Sequence, residues 1–385
     1  MLKKLIIIII IFCGVGFIFY QFFGGKHVVP VATQILLHQE PQLQQTNGKT
    51  NIILLGIGGG THDGPDLTDT IIMVSIDVKA NKVSLISVPR DLWIPDLKGK
   101  INTAYADGEL NNQHKGLAIA KSVIGEVLGQ PIHYGVRIDF GGFVKAVDEV
   151  GGLDINVAGI LDDYHYPVEG QEESTCGHSA SNIDAFVASS SADQQLWDFF
   201  PCRYKHLHFD PGNQHMDGTT VLQFVRSRHG VGNEGSDFAR SRRQHLVIEA
   251  FRTKLLSAGI LLNPVKLINL YNIVKGSIDT DIPESMSSSV ITLLQKIKSA
   301  KIENAVIDLG DYVAGRVGLL DNAPTLAEFD YSAALIPRIG NGNFSEIQSF
   351  ITCEITKGNC LVPEKIGDVI APATLTPTVS SQRMK

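Results

Sequence analysis

The chain has 385 residues, 44% of them hydrophobic and 19% charged, a balance that excludes a disordered polyelectrolyte and allows one large domain or two ordinary ones. With 33 basic against 40 acidic residues the formal charge is −7, so no long-range attraction draws the molecule to nucleic acid. Any anion site must therefore be local.

At the start, Lys3 and Lys4 precede an apolar run over residues 5–23. As a helix this run would span about 28 Å, close to the roughly 30 Å of a bilayer's hydrocarbon. We read residues 1–4 as a cytoplasmic tail and 5–23 as a single transmembrane anchor, which puts the rest outside the cell. A cleaved signal peptide is the rival reading, disfavoured by the length of the run and the lack of a small-x-small site after it. Residues 24–50, without apolar period, read as a stalk.

The folded part is expected over 51–352. Residues 52–55 form a short apolar run ending in Gly56, the pattern of a buried strand before a loop. Two β-rich runs, 70–78 and 82–88, flank the turn-like Lys79-Ala80-Asn81 and predict a hairpin. Between 115 and 128, Leu117, Ala120, Ile124 and Leu128 share one stripe, and Gly129-Gln130-Pro131 ends the helix. Strand and helix signals then alternate, which favours a mixed α/β domain with helices covering a sheet. Residues 158–210 interrupt the pattern and read as an inserted loop that contains Cys176 and Cys202. Helical pattern returns near Asp217 and over 237–257, then over 261–274 and 290–297; residues 333–336 suggest a strand and 344–351 a short helix. Residues 353–385 read as a disordered tail. Four cysteines beyond the anchor, Cys176, Cys202, Cys353 and Cys360, suit two disulfides in an oxidising compartment, although spacing fixes no connectivity and free thiols stay open.

Three stretches carry chemistry. In the densest, Arg226-Ser227-Arg228-His229 is joined through Gly230, Gly232 and Gly235 to Asp237-Phe238-Ala239-Arg240-Ser241-Arg242-Arg243. Guanidinium forks match phosphate oxygens in pairs and stay charged at any working pH, and the glycines let the two clusters fold towards one spot. A solvated basic helix face is the bland alternative. The second stretch is Val88-Pro89-Arg90-Asp91 at the end of a predicted strand, followed by Lys100-Ile101-Asn102 and Tyr105. The third is a loop holding His62, Asp63, Asp66 and Asp69, whose hard oxygens suit magnesium when phosphates complete its shell. His206, His208 and His215 form a weaker set: His-x-His can bind zinc, but no third ligand is identifiable from sequence.

In this order, Asn51-Ile52-Ile53-Leu54-Leu55-Gly56, Thr68-Asp69-Thr70-Ile71, Ser87-Val88-Pro89-Arg90-Asp91, Lys100-Ile101-Asn102, Asp217-Gly218, Phe224-Val225-Arg226-Ser227-Arg228 and Asp237-Phe238-Ala239-Arg240 resemble the LytR-CpsA-Psr family. The resemblance implies a three-layer α/β/α domain with a central mixed sheet beside a tunnel for a polyprenyl chain. It also implies a phosphotransferase: family members move a glycan phosphate from a polyprenyl-pyrophosphate carrier to a peptidoglycan hydroxyl, with membrane lipid alongside and no nucleic acid. Arg90, Arg226, Arg228 and Arg240 match the family's phosphate-binding arginines, and Lys100 and Arg243 join them as pyrophosphate candidates. Arg90, Asp91 and Arg228 are the catalytic candidates, with Asp91 either taking the acceptor's proton or orienting the arginines. For the implied Mg2+, Asp69 matches one metal aspartate while the other falls on Gly58, so Asp63 or Asp66 is expected to replace it. A pyrophosphatase that uses water as acceptor, and a non-catalytic polyprenyl-phosphate-binding protein, are the alternatives.

Overall fold

The structure is a computed structural model; it describes residues 42–373 apart from 61–63, 111–113, 190–195, 256–269, 271, 274–275, 312–314 and 331–332. The expected anchor at 5–23 lies outside the described residues, and among these no helix is long and apolar enough to cross a membrane.

The first strand, β1 (Lys49–Ile57), pairs antiparallel with β2 (Thr68–Asp77), which turns at Asn81 into β3 (Lys82–Ser87) as the predicted hairpin. Asn81 has φ 51°, a left-handed conformation that Asn tolerates in tight turns. Next come α1 (Thr103–Glu109) and α2 (Gly116–Leu128), the latter closed by Gly129 at φ 62°. Strand β4 (Tyr134–Asp139) lies parallel to β1 and leads into α3 (Phe140–Glu149), capped by Asp139. Strands β5 (Leu153–Val157), β6 (Leu161–Pro167), β7 (Tyr204–Phe209) and β8 (Gly212–Met216) form two ladders, β6 with β7 and β5 with β8, and α4 (Ala180–Ser189) lies between β6 and β7. After them come α5 (Gly218–Arg226), α6 (Asp237–Leu255), β9 (Ile278–Thr280), α7 (Ser287–Lys296), β10 (Lys301–Val306) and α8 (Ser345–Thr356).

Six strands make the central sheet in the order β9-β4-β1-β2-β3-β10, with β4 parallel to β1, β10 parallel to β3 and the remaining neighbours antiparallel. Strand β2 is apolar on both faces because helices cover both. On one side Ile71 and Met73 pack with Leu117, Ala120 and Ile124 of α2 and with Ile347 and Ile351 of α8. On the other, Ile72 and Ile76 pack with Leu293 of α7 and Ile248 of α6. This is the expected mixed α/β domain with helices on both faces of its sheet.

Two expectations are corrected. The 158–210 insertion is not a bare loop: its two ends pair as the β6/β7 ladder, and Cys176 bonds to Cys202 across its middle. The chain beyond 352 is not uniformly a tail either. Helix α8 runs on to Thr356, Cys353 bonds to Cys360, and both cysteines sit with Ile355 in the main core; residues 374–385 lie outside the described part. The run carries no long apolar period because Cys353 and Ile355 are only the last turn of α8 and Cys360 follows in a two-residue strand.

Candidate active site

At the C-terminal ends of β3 and β10, beside the start of β2, the sheet opens on a cavity of about 400 Å3. Ligands of open α/β sheets settle at such strand ends, where backbone leaves the ladder and side chains converge. Asp69, Ser87 and Asp308 are polar groups on the sheet side, and Ile71, Val88, Ile307, Leu309 and Leu335 give the same wall an apolar part. Facing them are Arg228 and His229, just past α5, and Arg240 and Gln244 on α6.

Two buried charges hold that second wall. Asp163 on β6 is fully buried; its Oδ2 accepts from Ser227 Oγ at 2.7 Å and from the backbone N–H groups of Arg228 and His229 at 3.3 and 3.2 Å. Arg243, only 2% exposed, donates to the carbonyls of Phe224, Ser227 and Glu234 at 2.9, 2.7 and 3.0 Å, and to Glu234 Oε2 at 2.9 Å. It ties the end of α5 to the glycine link. The link doubles back so tightly that a Cβ on Gly235 would lie 2.6 Å from the carbonyl oxygen of Gly230. Arg228 and Arg240 thus meet at one cavity, as the glycine link led us to expect.

Arg243 is therefore no pyrophosphate ligand. Its donors are committed to backbone and Glu234, and burial lowers its pKa, opposed by the Glu234 carboxylate. Arg226 also lies away from the cavity wall, its guanidinium stacked 4.4 Å over the Phe140 ring beyond the end of β4.

The second stretch folds into a relay behind Asp69. Arg90 pairs with Asp69 Oδ1 and lies 3.5 Å from Asp91 Oδ2, while Asp91 Oδ1 accepts from Lys100 Nζ at 3.0 Å. Burial would raise the Asp91 pKa, but the Lys100 hydrogen bond and the charges of Arg90, Lys100 and Arg228 together hold it below the usual carboxylate range. Neither Asp91 nor Lys100 lines the cavity, so the structure spends them on each other and on Arg90. Lys100 is thus paired to Asp91 away from the cavity and not placed as a pyrophosphate ligand, and Asp91 stands as the carboxylate that orients Arg90 and Lys100.

The carboxylates of the acidic loop separate. Asp69 lines the cavity; Asp66 is half-buried and does not; Asp63 and His62 lie outside the described residues. A Cβ on Gly59, at φ 69°, would fall 2.8 Å from the Asp139 side chain, so β4 closes against the loop beside Gly58. Among the described residues, only Asp69 and Asp308 bring carboxylates to the cavity, and Asp308 accepts bidentately from Arg316 at 2.9 and 2.6 Å. This donor set offers a magnesium ion one hard protein ligand, Asp69, which suffices only where substrate phosphates complete the shell.

Sequence reading held His229 and Gln244 only as members of the arginine-rich stretch, and missed Asp308 on the cavity and Asp163 and His245 behind it. Asp308 follows β10, a strand with too little alternation to be read. Asp163 sits in a stretch taken as a loop, and nothing in its neighbours marks it as buried. His245, two per cent exposed and hydrogen-bonded to Ser87 Oγ at 3.0 Å, is pushed by burial to a pKa of about 4.

Comparison with known proteins bears on the family and the fold. "Regulatory protein MsrR" of Staphylococcus aureus is 27% identical over 267 residues, covering 68% of this chain. The chain spans 65% of the length of that relative. "Polyisoprenyl-teichoic acid--peptidoglycan teichoic acid transferase TagU" of Oceanobacillus iheyensis is 26% identical over 269 residues, 68% of this chain and 69% of the relative. Among solved structures, protein gbs0355 of Streptococcus agalactiae has the same fold, with a TM-score of 0.52 at 21% identity over 84% of this chain and 90% of that one. The LytR_cpsA_psr family pattern matches residues 27–328, a span that holds the whole sheet, both arginine clusters and Asp69. By that match, over a site whose parts converge in space, this chain belongs to the LytR-CpsA-Psr family.

Proposed function

We propose that this protein is a glycopolymer transferase that moves a glycan phosphate from a polyprenyl-pyrophosphate carrier to a peptidoglycan hydroxyl, anchored in the membrane with its catalytic domain outside the cell. The convergence of Arg228, Arg240 and Asp69 at one strand-end cavity, with Arg90 paired to Asp69 just behind its wall, in a chain of net charge −7, carries this reading. The name of TagU, a teichoic acid transferase acting on peptidoglycan, supports the choice of acceptor and donor class. The apolar part of the cavity wall, from Ile71 to Leu335, suits the lipid next to the pyrophosphate.

Phosphoryl transfer asks the protein mainly for positioning and charge neutralisation. Arg228 and Arg240 hold the pyrophosphate oxygens from the α6 side. Arg90, aimed by Asp91 and Asp69, faces the same phosphates from the sheet side. An acceptor hydroxyl attacks the glycan-bearing phosphorus in line and gives up its proton to water as the new P–O bond forms; the bond to the bridging oxygen breaks, and polyprenyl phosphate leaves with its negative charge matched by the guanidinium groups. Mg2+ would be held by Asp69, with substrate phosphates completing its shell, and would supply further positive charge there.

The test is transfer by the purified full chain supplied with a lipid-linked glycan and peptidoglycan fragments. Arg228→Ala should reduce transfer by about 100-fold or more, the scale of losing a group that stabilises transition-state charge, with an unchanged melting temperature. Normal transfer by that variant would refute the site. Release of free polyprenyl phosphate without an acceptor would instead favour a pyrophosphatase.

A further inference from the structure

The outer face of the β6/β7 ladder carries a second cluster, apart from the phosphate cavity. Asp162 stands directly opposite His208 in the ladder register, and side chains two residues apart on a strand share a face. Leu161 and Asp163 therefore turn inward with Leu207 and Phe209, while Asp162, Tyr164, His206 and His208 turn outward. His206 Nε2 and His208 Nδ1 lie 2.9 and 2.7 Å from the same oxygen, Asp162 Oδ1.

We propose that Asp162, His206 and His208 form a binding site for a borderline divalent metal ion of the zinc class. One ligand atom from each residue falls within 4.8 Å of the other two. A tetrahedral zinc with bonds of about 2.0–2.1 Å sets its donors roughly 3.3 Å apart, so small side-chain rotations seat the ion. Two imidazoles and one carboxylate suit zinc rather than magnesium, which takes oxygen ligands.

Two features set the cluster apart from an ordinary exposed His–Asp pair. Behind His208, Asp210 Oδ1 lies 3.2 Å from Nε2, the carboxylate–histidine arrangement that fixes the tautomer and makes the other nitrogen a better ligand. Tyr164 stacks on His206 with ring centroids 4.2 Å apart and planes inclined by 3°, which holds that ring in orientation. His215, the third histidine of the sequence pattern, is not part of the site: it bonds to Asp154 at 2.7 Å on the β5/β8 ladder. Asp162 takes its place.

The site also has a structural consequence. The backbone carbonyl of Asp162 accepts from Val231 N–H at 2.8 Å, and its neighbour Asp163 holds the Ser227–His229 turn. An ion joining β6 to β7 on the outside stiffens the strand that anchors the arginine turn on the inside. Its role would be to brace the ladder, with three protein ligands and water in the fourth position.

The experiment uses the full chain without a histidine tag, stripped with chelator and titrated separately with Zn2+ and Mg2+ by calorimetry, with melting temperature followed in parallel. One zinc should bind per chain at micromolar concentration or tighter and raise the melting temperature, and magnesium should not compete. The His206→Ala, His208→Ala double variant should lose that zinc, Asp210→Asn should weaken it about 10-fold or more, and His215→Ala should leave it unchanged. Zinc retained by the double variant, lost in His215→Ala, or absent from a folded wild-type chain would overturn the proposal. If the double variant is poorly folded, Asp162→Asn serves instead, with circular dichroism as the control and the same loss of zinc expected.

Discussion

Arg228 and Arg243 are fifteen residues apart in an arginine-rich stretch and do opposite work. Arg228 is exposed on the cavity, whereas Arg243 is sealed under it by three backbone carbonyls and Glu234. Replacing Arg243 with Ala should therefore cost stability, on the order of 3 kcal/mol, because buried acceptors lose their donor and Glu234 loses its partner. Chemical denaturation measures that loss, and Arg228→Ala, which costs transfer and not stability, is its control. His245 gives a second prediction at this scale. Its folded pKa of about 4 lies below the unfolded value of 6.5, so between these values the unfolded chain binds a proton that the folded chain refuses. Stability should fall as pH drops from 6.5 towards 4, by about 3 kcal/mol in all for a shift of that size. Denaturation midpoints of wild type and His245→Gln at pH 7 and pH 4.5 check this: the variant should lose less stability on acidification than the wild type.

Among the elements, the insertion between β6 and β7 depends on its cross-link. Cys176–Cys202 closes a loop with a sequence separation of 26, for which chain entropy alone gives about 3 kcal/mol. The Cys176→Ser, Cys202→Ser variant should show faster amide exchange and earlier proteolysis in the insertion, with the central sheet protected as before. Loss of protection in β1 and β2 as well would mean that the insertion folds as one unit with the sheet. The aromatic packing inside it also reaches the cavity rim, since Trp197 stacks on His165 at 4.2 Å and meets His229 edge-on at 5.5 Å. Trp197 thus reads as a packing residue.

For the molecule as a whole, the segment after 352 belongs to the fold. Ile355, Cys353 and Cys360 are buried against the same core as Ile53 and Met73, and Lys82 Nζ donates to the Glu354 carbonyl at 2.7 Å. Truncation after 352 should lower the melting temperature by 10 °C or so, or prevent folding, since losing a buried Ile alone costs about 2–5 kcal/mol and each kcal/mol shifts the midpoint by about 2–4 °C in a domain of this size. Truncation after 373 should leave the midpoint in place.

The extent of what could be read from sequence follows from range. Strands β1 to β3 and helices α2, α5, α6 and α7 announced themselves because period, turn residues and caps are local signals. Strands β9 and β10 did not, because a three-residue strand and a weakly alternating one are defined by neighbours far along the chain. The arginine clusters, Asp69 and the glycine link were legible as residue types in a fitting order. Composition and pattern thus determined by themselves an α/β domain with a local anion site in an acidic chain. Tertiary structure alone decided which cations face the cavity and which serve the scaffold, because Arg228 and Arg243 have the same chemistry and differ only in burial. It alone also brought Asp162 to His206 and His208, since a ladder pairs residues that the intervening insertion separates.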